Sequence, residues 1–462
     1  MLNSEEFIKR LETSPMERFV KGGAWATFIK VLAALTGFLL NLVLVRLLSP
    51  SDLGAYFLII SLLAAASTIS TIGMPQAIVR FITETLVKGC IDRVVAIIRS
   101  ALLYTGGVSF VLTIALVFGL SGFILSKIDG IESFMLPGVI IGVWMMSSAW
   151  QTIIAESFRG LHMVGLASIF IGPILTLFSL IVFSLILFFS DGMGLQGVIK
   201  ITVFNQVLVT ILGLVLIYRF ISPVKCAHKW VEKDLLMMSL PLWVTNIGLY
   251  ILMQLDLWIV GVALDTDAVA VYGASARLVM LVATPLLIIN AVVPPLIAEL
   301  YVKNKDKDLQ HLLQATATMV AIPSIIAVMV FLFWGEAVLG LLYGPVYIEG
   351  ASVLVILSIG QLVNIWSGSC GLTLMLTNQQ KAMMYITILS GLINIILAIS
   401  LVSKIGILGV AVAAMISLSF QNIAMLLKVR QSIGIWTNIS FSSMAGTIPM
   451  VRKIWLGYEK QN

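Results

Sequence analysis

Charge is what this chain has least of. Of its 462 residues only 11% are Asp, Glu, Lys or Arg, while 60% are hydrophobic. An average soluble domain is about half apolar and about a quarter charged. A soluble chain this apolar has too little polar surface to cover itself. Lipid removes the difficulty, because a spanning helix pairs its own backbone N–H and C=O groups. Cysteine is scarce as well. Cys90, Cys226 and Cys370 form no close pair, so neither a disulfide framework nor a metal knuckle is expected. His162, His228 and His311 are scattered without ligand spacing. The sequence has no GxxxxGK[ST] loop, which argues against ATP as a direct drive. It shows no catalytic triad and no pair of carboxylates. No catalytic residue, metal or cofactor is therefore expected, and the chain reads as something other than an enzyme. The first 21 residues are polar and charged on both signs, so no cleavable signal peptide is expected.

What is present is apolar length. About 20 apolar residues cross a bilayer core of about 30 Å. Runs of this kind lie at 24–47, 53–73, 100–120, 135–155, 169–189 and 198–218, then at 239–263, 268–298, 314–334, 351–375, 385–403 and 410–428. Turn chemistry separates them, as at Ser49-Pro50-Ser51-Asp52, Ser190-Asp191-Gly192 and Ser403-Lys404-Ile405-Gly406. The expected fold is all-α and polytopic, with about twelve transmembrane helices.

The net charge of +6 would point to nucleic acid in a soluble protein. Here the basic residues fall in short loops, where they set topology, and no nucleic-acid partner is expected. With the N-terminus in the cytoplasm, about 22 Lys and Arg lie inside and about 4 outside. The outer four are Arg46, Lys127, Lys200 and Lys404. An even helix count returns the C-terminus to the same side. The expected location is the cytoplasmic (inner) membrane, multi-pass, with both termini cytoplasmic.

Three short echoes suggest duplication. Leu48–Tyr56 (LSPSDLGAY) resembles Leu264–Tyr272 (LDTDAVAVY), and Met74–Ile78 resembles Val293–Ile297. Gly194–Val198 resembles Gly406–Val410, and all three pairs share an offset of roughly 210 residues. Two six-helix lobes are expected, related by a pseudo-two-fold axis along the membrane normal. The organisation reads as an amphipathic cytoplasmic N-terminus (1–21), a first lobe (22–221) and a Lys-rich cytoplasmic linker (222–238). A second lobe (239–430) and a cytoplasmic tail (431–462) follow. Phe441, Met444, Ile448, Val451, Trp455 and Tyr458 recur in the tail at helical spacing beside Arg452 and Lys453. That pattern reads as an interfacial helix; Gly446 and Pro449 leave a disordered tail as the alternative.

Two stretches of the first half carry a family resemblance. Arg46–Tyr56 (RLLSPSDLGAY) is similar to the opening of polysaccharide flippases, and Ile72–Arg80 (IGMPQAIVR) fits the same family. In the second half Asp256–Gly261 (DLWIVG) and Tyr272–Leu278 (YGASARL) match, and Pro285 and Pro294 continue the pattern. The superfamily resembled is that of multidrug, oligosaccharidyl-lipid and polysaccharide exporters. The branch resembled implies movement of a lipid-linked, polyprenyl-diphosphate oligosaccharide, such as an O-antigen or capsule repeat unit, from the inner to the outer leaflet by alternating access. Membrane lipid and polysaccharide polymerisation machinery are the implied partners. The alternatives are a multidrug or cation antiporter of the same superfamily and a membrane enzyme acting on lipid-linked sugars. The drug-extruding branch commonly carries an acid in its first helix, whereas the first span here holds Lys30 and no acid.

Charges within spans invite a functional reading, since each costs about 2.5–3.5 kcal/mol on insertion scales. Arg277 sits near mid-membrane, and its planar fork suits phosphate oxygens; it is the first candidate for holding a diphosphate. Lys30 is a second cation, with snorkelling toward the headgroups as the competing role. Asn246 and Asn364 are candidates for sugar hydroxyls, against the plainer role of joining helices. Asp256 is the candidate for ion coupling. Its expected depth is close to that of Arg277, so a salt bridge between the two is the structural alternative.

Overall fold

The computed structural model describes residues 15–87, 91–115, 138–189, 192–221 and 233–440. The chain divides into two compact units, Met1–Gln254 and Leu255–Asn462. Among the described residues the regular structure is helical, in sixteen α-helices and one 3-10 turn.

The helices fall into two series with the same order. The first is α1 (Pro15–Leu47), α2 (Pro50–Ser70), α3 (Met74–Val87), α4 (Ile91–Ala115), α5 (Gly138–Gly160), α6 (Val164–Phe170), α7 (Pro173–Phe189) and α8 (Leu195–Ile221). The second is α9 (Lys233–Ala263), α10 (Thr266–Val292), α11 (Pro294–Val302), α12 (Asp306–Leu342), α13 (Ala351–Ser367), α14 (Cys370–Leu376), α15 (Gln380–Ile405) and α16 (Ile407–Ile433). The 3-10 turn Pro345–Gly350 leads into α13. In each series the third and sixth helices are short and the other six are long. Among the described residues nine helices are long and apolar enough to cross a membrane. Two further spans are bent, α6 with α7 by 42° and α9 by 48° between its halves. Adding α1, whose apolar part is Val31–Leu47, each of the twelve apolar runs in the sequence has its helix. The chain is a multi-pass membrane protein.

The echoes in the sequence are the signals that start these helices. Ser49 caps α2 by accepting from the Asp52 N–H, with Pro50 in the first turn. Asp265 caps α10 by accepting from the Ala268 N–H at 2.7 Å. A side-chain oxygen at this position satisfies an N–H that the helix cannot. The second echo marks a break. After α2 the chain turns at Ile72 and Gly73, both at positive φ, and α3 begins. After α10 it breaks at Val293, and Pro294 opens α11. The apolar run 268–298 is therefore two helices. In the third echo Gly406 sits between α15 and α16 at φ 59°, a conformation that glycine adopts without a Cβ penalty.

The core of the first unit gathers Ile78 and Ile82 of α3, Ile97 of α4, Phe158 of α5, Phe170 of α6 and Leu235 of α9. The division between units falls inside α9, after Gln254, not in the loop before it. Residues 233–238, read as linker from sequence, are the first turns of this helix. The N-terminal part of α9 belongs to the first unit because it is fastened to α2. Trp243 Nε1 donates to the Ile69 carbonyl and Tyr250 Oη to the Ser61 carbonyl, each at 2.8 Å. The core of the second unit gathers Ile297 of α11, Leu309 and Leu313 of α12, Leu374 of α14 and Val429 of α16. The amphipathic segment before Pro15, the loop 222–232 and the tail beyond Ser440 lie outside the described residues.

Candidate functional site

Asp256 is an acidic residue within the second half of α9. It sits seven residues before the end of α9, about 10 Å along the helix. Tyr272 sits six residues into α10, about 9 Å from the same turn. The capped turn at Asp265 makes the chain double back, which brings these two side chains to one level. Tyr272 Oη donates to Asp256 Oδ2 at 3.3 Å. A third helix completes the group: Asn394 of α15 donates from Nδ2 to Asp256 Oδ1 at 2.7 Å. Tyr272 and Asn394 are buried, and Asn394 Oδ1 has no hydrogen-bond partner among the described residues. The Asp256 carboxylate of α9 is thus met by a carboxamide N–H from α15 and a phenol O–H from α10.

Arg277 does not join this group. Counted from Thr266 it lies eleven residues into α10, about 16 Å from the turn, several ångströms deeper than Asp256. The expectation of an Asp256–Arg277 salt bridge fails for this reason, and the carboxylate is held by Tyr272 and Asn394 instead. Arg277 Nη1 donates to the Gly273 carbonyl at 3.3 Å. Three ion pairs run along single helices: Arg80–Glu84, Arg159–Glu156 and Lys303–Glu299.

The other candidate residues are dispersed. Asn364 donates to Gln361 Oε1 one turn away on α13 at 3.0 Å. Asn246, on the part of α9 that belongs to the first unit, exchanges two hydrogen bonds with Gln76 at 3.1 and 3.3 Å. Lys30 lies on α1, and its side chain is outside the described set. Several of the remaining membrane amides join helices. Gln151 of α5 donates to the Phe170 carbonyl at 2.7 Å and accepts from Gln206 of α8. Asn205 donates to Ser179 at 3.2 Å, and Asn290 accepts from Ser369 at 2.6 Å. Among the described residues no three His, Cys, Asp or Glu side chains cluster as for a metal ion.

Sequence reasoning missed Tyr272 as a partner of Asp256, although its distance from the Asp265 cap was the available signal. It also missed Gln76 as the partner of Asn246.

The family model for "Polysaccharide biosynthesis protein" matches residues 19–301, more than half of the chain. The chain belongs to that family. A second model, MatE, matches residues 241–400, and both place this family member among the multidrug, oligosaccharidyl-lipid and polysaccharide exporters. It is similar to the probable low-salt glycan biosynthesis flippase Agl15 of Haloferax volcanii, at 23% identity over 216 residues. That alignment covers 44% of this chain and 45% of the relative, so the match spans less than half of either protein. Among solved structures, an inward-facing multidrug resistance MATE family transporter superposes with TM-score 0.70 at 14% identity, covering 87% of this chain and 94% of that one. Lipid II flippase MurJ, in an inward closed conformation, superposes with TM-score 0.64 at 14% identity, covering 94% and 92%. A transporter of the same superfamily from Pyrococcus furiosus gives 0.58 at 13%, covering 90% and 95%. Identities this low establish the shared fold. The chain is thus a multi-pass membrane protein of the polysaccharide biosynthesis family with the fold of these transporters.

Proposed function

We propose that the protein moves a lipid-linked oligosaccharide, carried on a polyprenyl diphosphate, from the inner to the outer leaflet of the cytoplasmic membrane by alternating access. The observation that carries this reading is the match to the polysaccharide biosynthesis family over residues 19–301, which contains both intramembrane cations, Lys30 and Arg277. An anionic diphosphate needs such cations, and a guanidinium offers it two parallel donors. Asn246 and Asn364 are the candidates for sugar hydroxyls, and the polyprenyl tail stays in lipid. Both termini are placed in the cytoplasm by the distribution of Lys and Arg. Polymerisation machinery for the polysaccharide is the natural consumer on the outer face.

In this reading Asp256 couples an ion to the cycle. A carboxylate within the membrane, held by two neutral hydrogen-bond donors, is a group whose charge a proton or a small hard cation can neutralise. The drive is an ion gradient, the membrane potential or consumption of the product outside. A second reading, export of a cationic drug, is favoured by the MatE match over residues 241–400. It meets the difficulty that Arg277 would repel such a substrate. Cells deprived of the protein distinguish the two. Accumulation of one lipid-linked oligosaccharide on the cytoplasmic face supports the flippase. An unchanged lipid-linked pool with a rise in drug sensitivity would support the exporter.

A further inference from the structure

The α5–α6 break of the first series and the α13–α14 break of the second are covered by different pieces of chain. In the first, α5 ends at Gly160, His162 turns at φ 59° and α6 follows. The fourteen-residue α3 lies against this break. Thr83 Oγ1 reaches the Gly160 carbonyl at 3.5 Å, and a Cβ on Gly160 would lie 2.9 Å from that of Ile82. In the second, α13 ends at Ser367, Gly368 turns at φ 69° and α14 follows. Here the third helix, α11, has only nine residues and packs on α12 and α14. A helix that ends at such a break leaves its last carbonyls without intrahelical partners.

The strap that follows α16 satisfies them. Gly434 ends α16 in the left-handed conformation and turns the chain back. Arg430 donates to the Gly434 carbonyl and lies over the Trp436 ring, 5.3 Å from its centre. The Trp436 N–H donates to Gln310 of α12 at 3.0 Å. Thr437 Oγ1 donates to the Ser367 carbonyl at 2.6 Å, and the Ile439 N–H to the Trp366 carbonyl at 3.0 Å. The Ser440 N–H donates to Thr318 Oγ1, again at 3.0 Å. Ile435 and Thr437 are buried, and Ile435 joins the core of the unit. Gly368 is shaped to this strap, because a Cβ there would come within 2.4 Å of the Thr437 carbonyl oxygen.

We propose that Ile435–Ser440 is a brace of the second unit. It ties α12 to the α13–α14 break, doing there what α3 does for the first unit, and it stays in place whatever the protein transports. The chain beyond Ser440 is not needed for this. The test uses the purified protein in detergent, read by thermal unfolding and by amide hydrogen exchange. A chain ended after Ser440 should unfold with the full-length protein and keep its slow exchange over Ser369–Thr373. A chain ended after Gly434 should unfold at a lower temperature and exchange faster across that segment. Full-length Thr437→Val removes one hydroxyl without changing size, and it decides the matter if the shorter chain fails to accumulate. Its exchange over Ser369–Thr373 should rise about tenfold, the scale of one lost buried hydrogen bond. Exchange at the full-length rate in Thr437→Val, or in the chain ended after Gly434, would overturn the brace.

Discussion

Asp256 and Asn394 meet at 2.7 Å between α9 and α15, and the carboxamide oxygen of Asn394 has no hydrogen-bond partner among the described residues. The proposal that Asp256 couples an ion starts from this pair.

Asn394→Leu keeps the approximate volume but leaves Asp256 one donor short. It should lower stability by about 1–3 kcal/mol. Asp256→Asn with Asn394 intact should cost less, because a neutral amide needs less compensation. Thermal unfolding of the purified variants measures both. Transport in Asp256→Asn should lose its dependence on the ion gradient, and gradient-driven transport by this variant would remove the coupling role.

The difference in depth between Asp256 on α9 and Arg277 on α10 makes a second expectation. A double-mutant cycle of Asp256→Asn and Arg277→Gln should give a coupling energy under about 0.5 kcal/mol, as for residues without shared partners. A coupling of several kcal/mol would restore the salt bridge. The exchanged pair Asp256→Arg with Arg277→Asp should recover neither stability nor transport, because each charge then sits at a depth built for the other.

Gly73 carries the contact between the α2–α3 break and α9. Its φ is +66°, and a Cβ would stand 2.2 Å from the Ser239 carbonyl oxygen and 2.5 Å from the Trp243 nitrogen. Both neighbours are backbone and cannot swing aside. Gly73→Ala should cost about 2–4 kcal/mol from the left-handed conformation and the overlap together. Gly37→Ala, at a helical position with nothing nearby, is the matched control and should be neutral. Melting temperatures in detergent compare the two.

The elements were legible in the sequence because each apolar run had to satisfy its own backbone, and Ser49, Asp265 and Gly406 marked where runs begin and end. The repeat was legible at its caps and breaks for the same reason. What escaped was set by packing across helices. Nothing in the order of residues says that Trp243 and Tyr250 fasten α9 to α2, or that the strap after α16 lies on α12. Depth was legible in principle. The apolar run begins at Ala268, but the cap at Asp265 starts the helix at Thr266, which puts Arg277 about 3 Å deeper than the run alone suggests. Partners of single polar residues, such as Gln76 for Asn246, depend on which helix faces which, and one sequence does not contain that.

Orientation rests on the loop charges. With cysteines otherwise replaced, a cysteine at Asn304 or Asn378, each in a turn between helices, should react with a membrane-impermeant reagent only in inside-out vesicles. One at Gly406 should react in intact cells. The reverse pattern would invert the topology.

The most direct test of transport is a reconstitution. The purified protein is placed in liposomes with a fluorescent polyprenyl-diphosphate oligosaccharide, and an impermeant reagent reports the fraction in the outer leaflet over time. Wild-type protein should carry the lipid across within the assay, and Arg277→Ala, folded and inserted, should not. Transfer by Arg277→Ala at the wild-type rate, or none by wild-type protein with any lipid-linked oligosaccharide of its host, would contradict the account.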